Sequence, residues 1–455
     1  MKHRALLVTL LAVAALLGAG AARPHAAETL PAGDGAAAAS PLAPAPVPAA
    51  ELAKLDGPGT ELPKVEAQAP ELAEVEAPAA PATVEEAVHP AALRMDPPAL
   101  GEAQLDLRRG RFVAPFGEGR AVLTIDPRLQ DRLERSLASY RAPWGATVML
   151  EAGSGRVLAL AEHSEAEPAR KGLALSAMAP AASVFKIVTA AALLERGVGV
   201  RDPVCYHGGR RRLQPRLLAD DPRRDRRCVS LAQAFGHSTN VVFAKLADRD
   251  LDAQALRAAA ERFLFNVPIS FPRAVEPSPA NIPDDPFGLA NAAAGFGDVR
   301  LSPLHAALLA SVIANGGLLV PPVLVDEVEG APLPAPGAPW RVVDEAVASD
   351  LGDMMRSTVT AGTARRVFRR TAHGLRGVAV AGKTGSLADP NPFRDYTWFV
   401  GFAPAEKPEV VVATVVVNGR LWHARAPTVA KEALEAFFAT RVASLPDGAV
   451  RTASR

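Results

Sequence analysis

The chain holds 455 residues, 49% of them hydrophobic, and 50 basic against 49 acidic side chains leave a net charge of +1, which argues against a protein built to coat nucleic acid. Its 16 Phe, 4 Trp and 3 Tyr are unevenly placed, with none before Phe112, so the first quarter lacks the residues that carry most of a core's buried area. About 330 residues are left to fold, enough for one large domain or two packed together, and two cysteines exclude a disulfide-dense small scaffold.

Residues 1–22 read as an export signal: Lys2, His3 and Arg4 form a basic start, an apolar run follows, and Ala19-Gly20-Ala21 offers a small-residue cleavage site. A retained membrane anchor is the alternative, because no charge interrupts residues 5–22. Residues 23–118 read as a disordered Ala/Pro-rich acidic linker. There are 14 prolines within residues 23–100, and residues 51–90 carry nine acids against two lysines, a composition that cannot offset its ordering entropy. A decapeptide repeats there, opening at Glu51-Leu52, Glu61-Leu62 and Glu71-Leu72; three copies are too few for a solenoid, so the stretch reads as a spacer, with a partner-docking segment as the alternative.

Order is expected from Gly119. A strand is predicted over 121–125, then an amphipathic helix over 127–140 with Pro127 in its first turn, then a hairpin of strands 146–151 and 156–161 around Gly153 and Gly155. Apolar periodicity predicts helices over 181–196 (opened by Pro180 and ended by Gly197), 231–235, 252–263, 303–314, 344–358 and 428–440. Strands are predicted over 378–382, 397–402 and 410–417, the last an almost unbroken apolar run buried on both faces. Hairpins at both ends with helices between predict one antiparallel sheet assembled from distant segments, a helical second lobe and a cleft between them. The folded domain is expected over 119–441, with a flexible tail over 442–455.

Three short motifs stand in order: Ser183-Val184-Phe185-Lys186, Ser238-Thr239-Asn240 and Lys383-Thr384-Gly385-Ser386. Each alone is weak; the first reads equally as a helix with one exposed lysine. Its setting says more, because the apolar body that follows Lys186 marks a buried helix with Ser183 and Lys186 three apart on one face. A serine hydroxyl needs a base within hydrogen-bond reach, and a lysine serves only when burial or a neighbouring cation lowers its pKa. Lys383 would be that cation. Ser238 and Asn240 would supply a proton relay and an amide for the substrate backbone. Lys383 and Thr384 would bind a substrate carboxylate, Gly385 would let a ligand approach the backbone, and the amides of Ser183 and Ser386 would form an oxyanion hole.

The ordered triple resembles the active-site signature of penicillin-binding proteins and serine β-lactamases. More of the chain is similar to the transpeptidase domain of penicillin-binding proteins: Leu123-Thr124-Ile125-Asp126, Gly295-Phe296-Gly297 with Leu301-Ser302-Pro303-Leu304-His305, and Trp398-Phe399-Val400-Gly401-Phe402. The resemblance covers about residues 119–441. It implies an α/β (α+β) fold, a five-stranded antiparallel sheet flanked by helices plus an all-helical lobe. It also implies a serine acyl-enzyme formed on D-Ala-D-Ala peptidoglycan stem peptides without a cofactor, inhibition by β-lactams, a periplasmic setting and a separate glycosyltransferase as partner, since no room for such a domain or a pedestal is expected before residue 119. Ser386 stands where the family usually has Thr, and Phe296 and His305 where Gln is usual. A class D-like β-lactamase and a non-catalytic penicillin sensor are the competing readings, and sequence does not separate transpeptidase from carboxypeptidase.

Glu276 and Asn281 tempt toward a deacylating glutamate, but five positions separate them where four would be needed. Trp398 reads as core rather than groove. Cys205 and Cys228, 23 positions apart in an exported chain, predict a disulfide worth roughly 3 kcal/mol in the chain-entropy model. His207 and His237 permit a zinc reading whose spacing matches no common site, and no metal is expected. Eight Arg and three Asp within residues 210–227 read as a solvated loop, with an anion-gripping patch as the alternative.

Overall fold

The computed structural model describes residues 102–444 except 210–211, 331–332, 334–336 and 372–374, so the export segment, the repeats and most of the expected linker lie outside the described residues. Among the described residues, no helix is long and apolar enough to cross a membrane.

The centre is a five-stranded antiparallel sheet in the order Ala381–Pro390, Phe393–Ala403, Val410–Asn418, Trp144–Glu151 and Val157–His163. Chain-terminal hairpins thus meet in one sheet, as the pattern predicts, with Val415 opposite both Trp398 and Ala146. Successive side chains of a strand point to opposite faces, and here they feed two cores. Val411, Ala413 and Val415 join the helical lobe, while Val412 and Val416 pack with Leu129, Leu133, Val429 and Leu434 of the helices Pro127–Ser139 and Ala426–Ser444. Every residue of Val410–Asn418 is buried, because helices cover the sheet on both sides.

The ordered part starts earlier than the expected boundary at 119. Strand Gln104–Asp106 pairs with Arg111–Phe116, which pairs with Gly119–Leu123, and that strand pairs in turn with Val325–Val328 from about two hundred residues away. Val113 and Ala114 are buried, opposite Val122 and Ala121. Local composition carries no sign of it. At the other end the last helix reaches Ser444, beyond the expected limit at 441.

Two further departures bear on function. Pro180 does not open a helix: Ala179–Pro180 pairs with Asp298–Leu301, a 3₁₀ turn covers Ala182–Val184, and the α-helix runs Lys186–Glu195. That helix does end at Gly197, which takes φ +84° while the Val198 amide returns to the Leu193 carbonyl at 3.0 Å. A helix over Asn240–Asp250, which periodicity does not single out, follows the shorter Leu231–His237. Between them and the first motif, Cys205 and Cys228 face each other in the two-stranded hairpin Pro203–Tyr206 and Arg227–Ser230 and are bonded.

Candidate active site

Three backbone segments converge on the edge strand of the central sheet. The first is the turn before the buried helix Lys186–Glu195. Ala182 there takes a left-handed φ of 48°, and a Cβ on Gly295 would lie 2.3 Å from its carbonyl oxygen, so the turn is seated against a backbone that tolerates only glycine. The second is a helix–helix junction. Leu231–His237 closes with Ser238 in the left-handed region (φ 55°), the Thr239 amide returns to the Ala234 carbonyl at 2.8 Å, and Asn240 opens the next helix. The third is Ala381–Pro390, in which Gly385 allows the strand to lie against the turn: a Cβ there would meet Val184 Cγ2 at 3.2 Å and the Ala181 carbonyl oxygen at 3.3 Å.

The side chains form two linked clusters. Lys186 Nζ donates to Ser183 Oγ at 2.8 Å, to Asn240 Oδ1 at 2.8 Å and to the Ala294 carbonyl at 2.5 Å, which matches the three donors of an ammonium. Lys383 Nζ donates to Ser238 Oγ at 3.0 Å and to the Thr384 carbonyl at 2.9 Å. Aromatic faces back both amines, Phe243 at 5.5 Å from Lys186 Nζ and Phe235 at 5.4 Å from Lys383 Nζ. Both lysines are wholly buried. Burial, reinforced by the charge of Lys383, holds the Lys186 pKa well below its ordinary 10.5, and burial alone lowers that of Lys383 to about 7. Ser386 is exposed on the open side of the strand.

Thr363 and the Ala294 carbonyl belong to the site although the sequence reading passes over them. Thr363 Oγ1 lies 2.6 Å from Thr384 Oγ1, and its amide donates to the Gly236 carbonyl at 3.0 Å. A Cβ on the adjoining Gly362 would come within 2.0 Å of that same oxygen. A carbonyl carries no signature in sequence, and Thr363 sits in an irregular stretch after the helix Glu345–Thr360. Gly295→Ala is expected to destabilise the domain by about 1–3 kcal/mol, since it adds a Cβ at φ +89° against backbone. Its thermal unfolding transition should fall, and penicillin labelling should fall with it.

The decoys are occupied elsewhere. Glu276 accepts from Ser176 Oγ at 2.7 Å and the Ala177 amide at 2.9 Å, and Asn281 donates to Asp298 at 2.6 Å. The sulfurs of Cys205 and Cys228 are spent on each other, and His207 pairs with Asp225, so the zinc reading loses its thiolates. Trp398 is core, its indole N–H donating to the Pro180 carbonyl at 2.9 Å and tying the sheet to the segment before Ser183. His305 is buried, its Nε2 2.6 Å from the Phe263 carbonyl oxygen, and burial lowers its pKa to about 4; it packs and does not reach the site.

Comparison with known proteins agrees with this geometry. The family model for the penicillin binding protein transpeptidase domain matches residues 145–438. A curated relative, the peptidoglycan D,D-transpeptidase PbpA of Mycobacterium tuberculosis, is 30% identical over 359 residues, covering 68% of this chain and 71% of the relative. Among solved structures, penicillin-binding protein A of M. tuberculosis, determined as a ceftriaxone acyl-enzyme complex, superposes with a TM-score of 0.57 at 27% identity, covering 72% of this chain and 80% of the other. The D,D-transpeptidase domain of a peptidoglycan glycosyltransferase from Eggerthella lenta gives 0.59 at 25% identity, over 76% and 96%. With a family match across most of the folded residues and the three motifs gathered at one edge strand, the chain belongs to the penicillin-binding protein transpeptidase family.

Proposed function

We propose that the protein is a serine D,D-transpeptidase that cross-links peptidoglycan stem peptides. The observation that carries this reading is the 2.8 Å contact between Ser183 Oγ and the Nζ of a wholly buried lysine. Burial and the charge of Lys383 lower the Lys186 pKa and so favour its neutral form, and in that form Nζ accepts the hydroxyl proton as Ser183 Oγ attacks the carbonyl of the penultimate D-Ala. The amides of Ser183 and Ser386 receive the developing oxyanion. The C–N bond breaks as Ser238, held by Lys383, relays to the departing D-Ala amine the proton that Lys186 took from Ser183, which leaves Lys186 neutral again. Lys383 and Thr384 bind the terminal carboxylate, and the substrate runs extended beside the free edge of Ala381–Pro390. A second stem's amine then attacks the ester and frees Ser183; water in its place would give carboxypeptidation. None of these steps calls for a cofactor.

The export signal supports work outside the cytoplasm, in the periplasm, with residues 1–22 either cleaved or kept as an anchor and glycan polymerisation left to a separate glycosyltransferase. Incubation with a fluorescent penicillin followed by denaturing gel analysis tests the reading: a stable label on the wild type and none on Ser183→Ala is expected. A label that survives in Ser183→Ala discards the assignment. One that hydrolyses within minutes favours a β-lactamase. Absence of both D-Ala release and cross-linking with a pentapeptide substrate favours a sensor.

A further inference from the structure

A second buried set of charges lies where the loop closed by Cys205 and Cys228 meets the helix Asn240–Asp250. That helix has two working faces. Asn240 and Phe243, three apart, face Lys186, the first through its amide oxygen at 2.8 Å and the second through its ring. Val241 and Lys245, four apart, lie on another face, and the disulfide-closed loop touches both. A Cβ on Gly209 (φ +63°) would stand 2.5 Å from Val241 Cβ, so only glycine seats the loop there. Lys245 Nζ bonds Asp220 Oδ1 at 2.8 Å and Asp225 Oδ2 at 2.7 Å, with the Ala219 carbonyl at 3.4 Å. Asp225 is braced in turn by the Asp221 amide at 3.0 Å and by His207 Nδ1 at 2.5 Å. The side chains of Lys245 and Asp225 are each only 5% exposed.

His207 follows Cys205 by two residues and Asp225 precedes Cys228 by three, so the disulfide pins both ends of the brace. The gripped helix also lacks a side-chain cap at Thr239, which leaves its position to what holds it from outside. We propose that this loop is a clamp that fixes the Asn240 helix for acylation, with Asp225 and Lys245 as positioning residues and the Cys205–Cys228 bond as the fastener. The ion pair, not general packing, carries the directional hold, because without Asp225 the buried Lys245 keeps only Asp220, whose side chain is 82% exposed, as its counter-charge. A released helix would carry Asn240 away from Lys186, and a displacement of about 1 Å near a reacting group costs up to about 100-fold in rate.

The proposal rests on the reading of Ser183 and Lys186, and it makes a distinctive mark on the pH dependence. Lys186 faces Ser183 Oγ, Asn240 Oδ1, the Ala294 carbonyl and the Phe243 ring, and the charge acting on it is that of Lys383. Loss of the Asn240 acceptor disfavours the ammonium further, so the acidic limb of the acylation profile should move to lower pH while its plateau drops. Partial unfolding would lower the plateau and leave the limb where it is.

The test measures second-order acylation by benzylpenicillin against pH for the wild type, the wild type held in reductant, Asp225→Asn, and Arg223→Ala as an exposed control in the same loop. A 10- to 100-fold lower plateau with the limb displaced, in Asp225→Asn and in reduced wild type alike, is the expected result. Should Asp225→Asn fail to fold, the reduced wild type alone decides. Unchanged rates, or lower plateaus without displacement of the limb, overturn the clamp. A wild type that is not acylated at all overturns the underlying reading instead.

Discussion

Substitution of Lys186 by alanine is expected to slow acylation of Ser183 by benzylpenicillin by about 10²- to 10⁴-fold, the usual contribution of a positioned general base. Lys186→Arg should fare no better, because a guanidinium retains charge and hydrogen-bond donors but does not give up its proton. The pair therefore separates proton acceptance from simple electrostatic support. If Lys186 served only to neutralise charge, the arginine variant would keep much of the rate. Stopped-flow acylation measures the effect, and thermal unfolding of each variant shows whether the fold survives, since the alanine leaves Asn240 Oδ1 and the Ala294 carbonyl without their buried donor.

The second large effect is on pH dependence. Acylation needs Lys186 neutral, and burial together with the charge of Lys383 lowers the pKa of Lys186, so the rate should rise with pH through that pKa. Lys383 must be charged to hold a carboxylate, and its pKa of about 7 predicts that the rate for carboxylate-bearing substrates falls above about pH 7. The two amines sense each other, so the limbs of the resulting bell belong to the pair rather than to either residue. A profile flat from about pH 5 to 9 would show that neither lysine titrates in this step. Stability moves in one direction only. A lysine whose folded pKa lies below its unfolded value makes the unfolded state bind more protons between the two. Lys383 therefore imposes no charging cost above its ordinary 10.5, and the cost grows as pH falls toward about 7 and is complete below it. The denaturation midpoint should accordingly climb between pH 7 and pH 9 unless other groups offset it.

Much of the site is legible in residue order, because its chemistry resides in side chains that recur as short strings. Ser183 with Lys186 offers a candidate nucleophile and base three residues apart, and Lys383-Thr384-Gly385 shows charge, hydroxyl and open backbone together on one strand. The fold is legible where one helix or strand buries its own apolar stripe: 303–314 and 410–417 stand where periodicity puts them, as Pro303–Ala314 and Val410–Asn418. It is illegible where partners are remote. Arg111–Phe116 becomes a strand because Gly119–Leu123 and Val325–Val328 complete its sheet, and Pro180 is drawn into a strand by Asp298–Leu301. Thr363 reaches Thr384 only because Gly236 and Gly362 let two backbones touch.

The uneven aromatics show the same division. Their absence before Phe112 predicts a stretch without a core, since large buried rings are a property of composition, and residues 1–101 lie outside the described residues. The first described strand, from Gln104, forms a hairpin with Arg111–Phe116 and joins a sheet that only Val325–Val328 completes, a remote pairing that composition does not encode. Residue order by itself singled out the groups proposed for acyl transfer: Ser183, Lys186, Ser238, Asn240 and Lys383. Only the tertiary structure decided that Lys186 and Lys383 lose all contact with water and lie close enough to act on each other. Desolvation and Coulomb repulsion depend on everything that surrounds a charge, and those surroundings are assembled here by contacts between residues 54 to 145 positions apart along the chain.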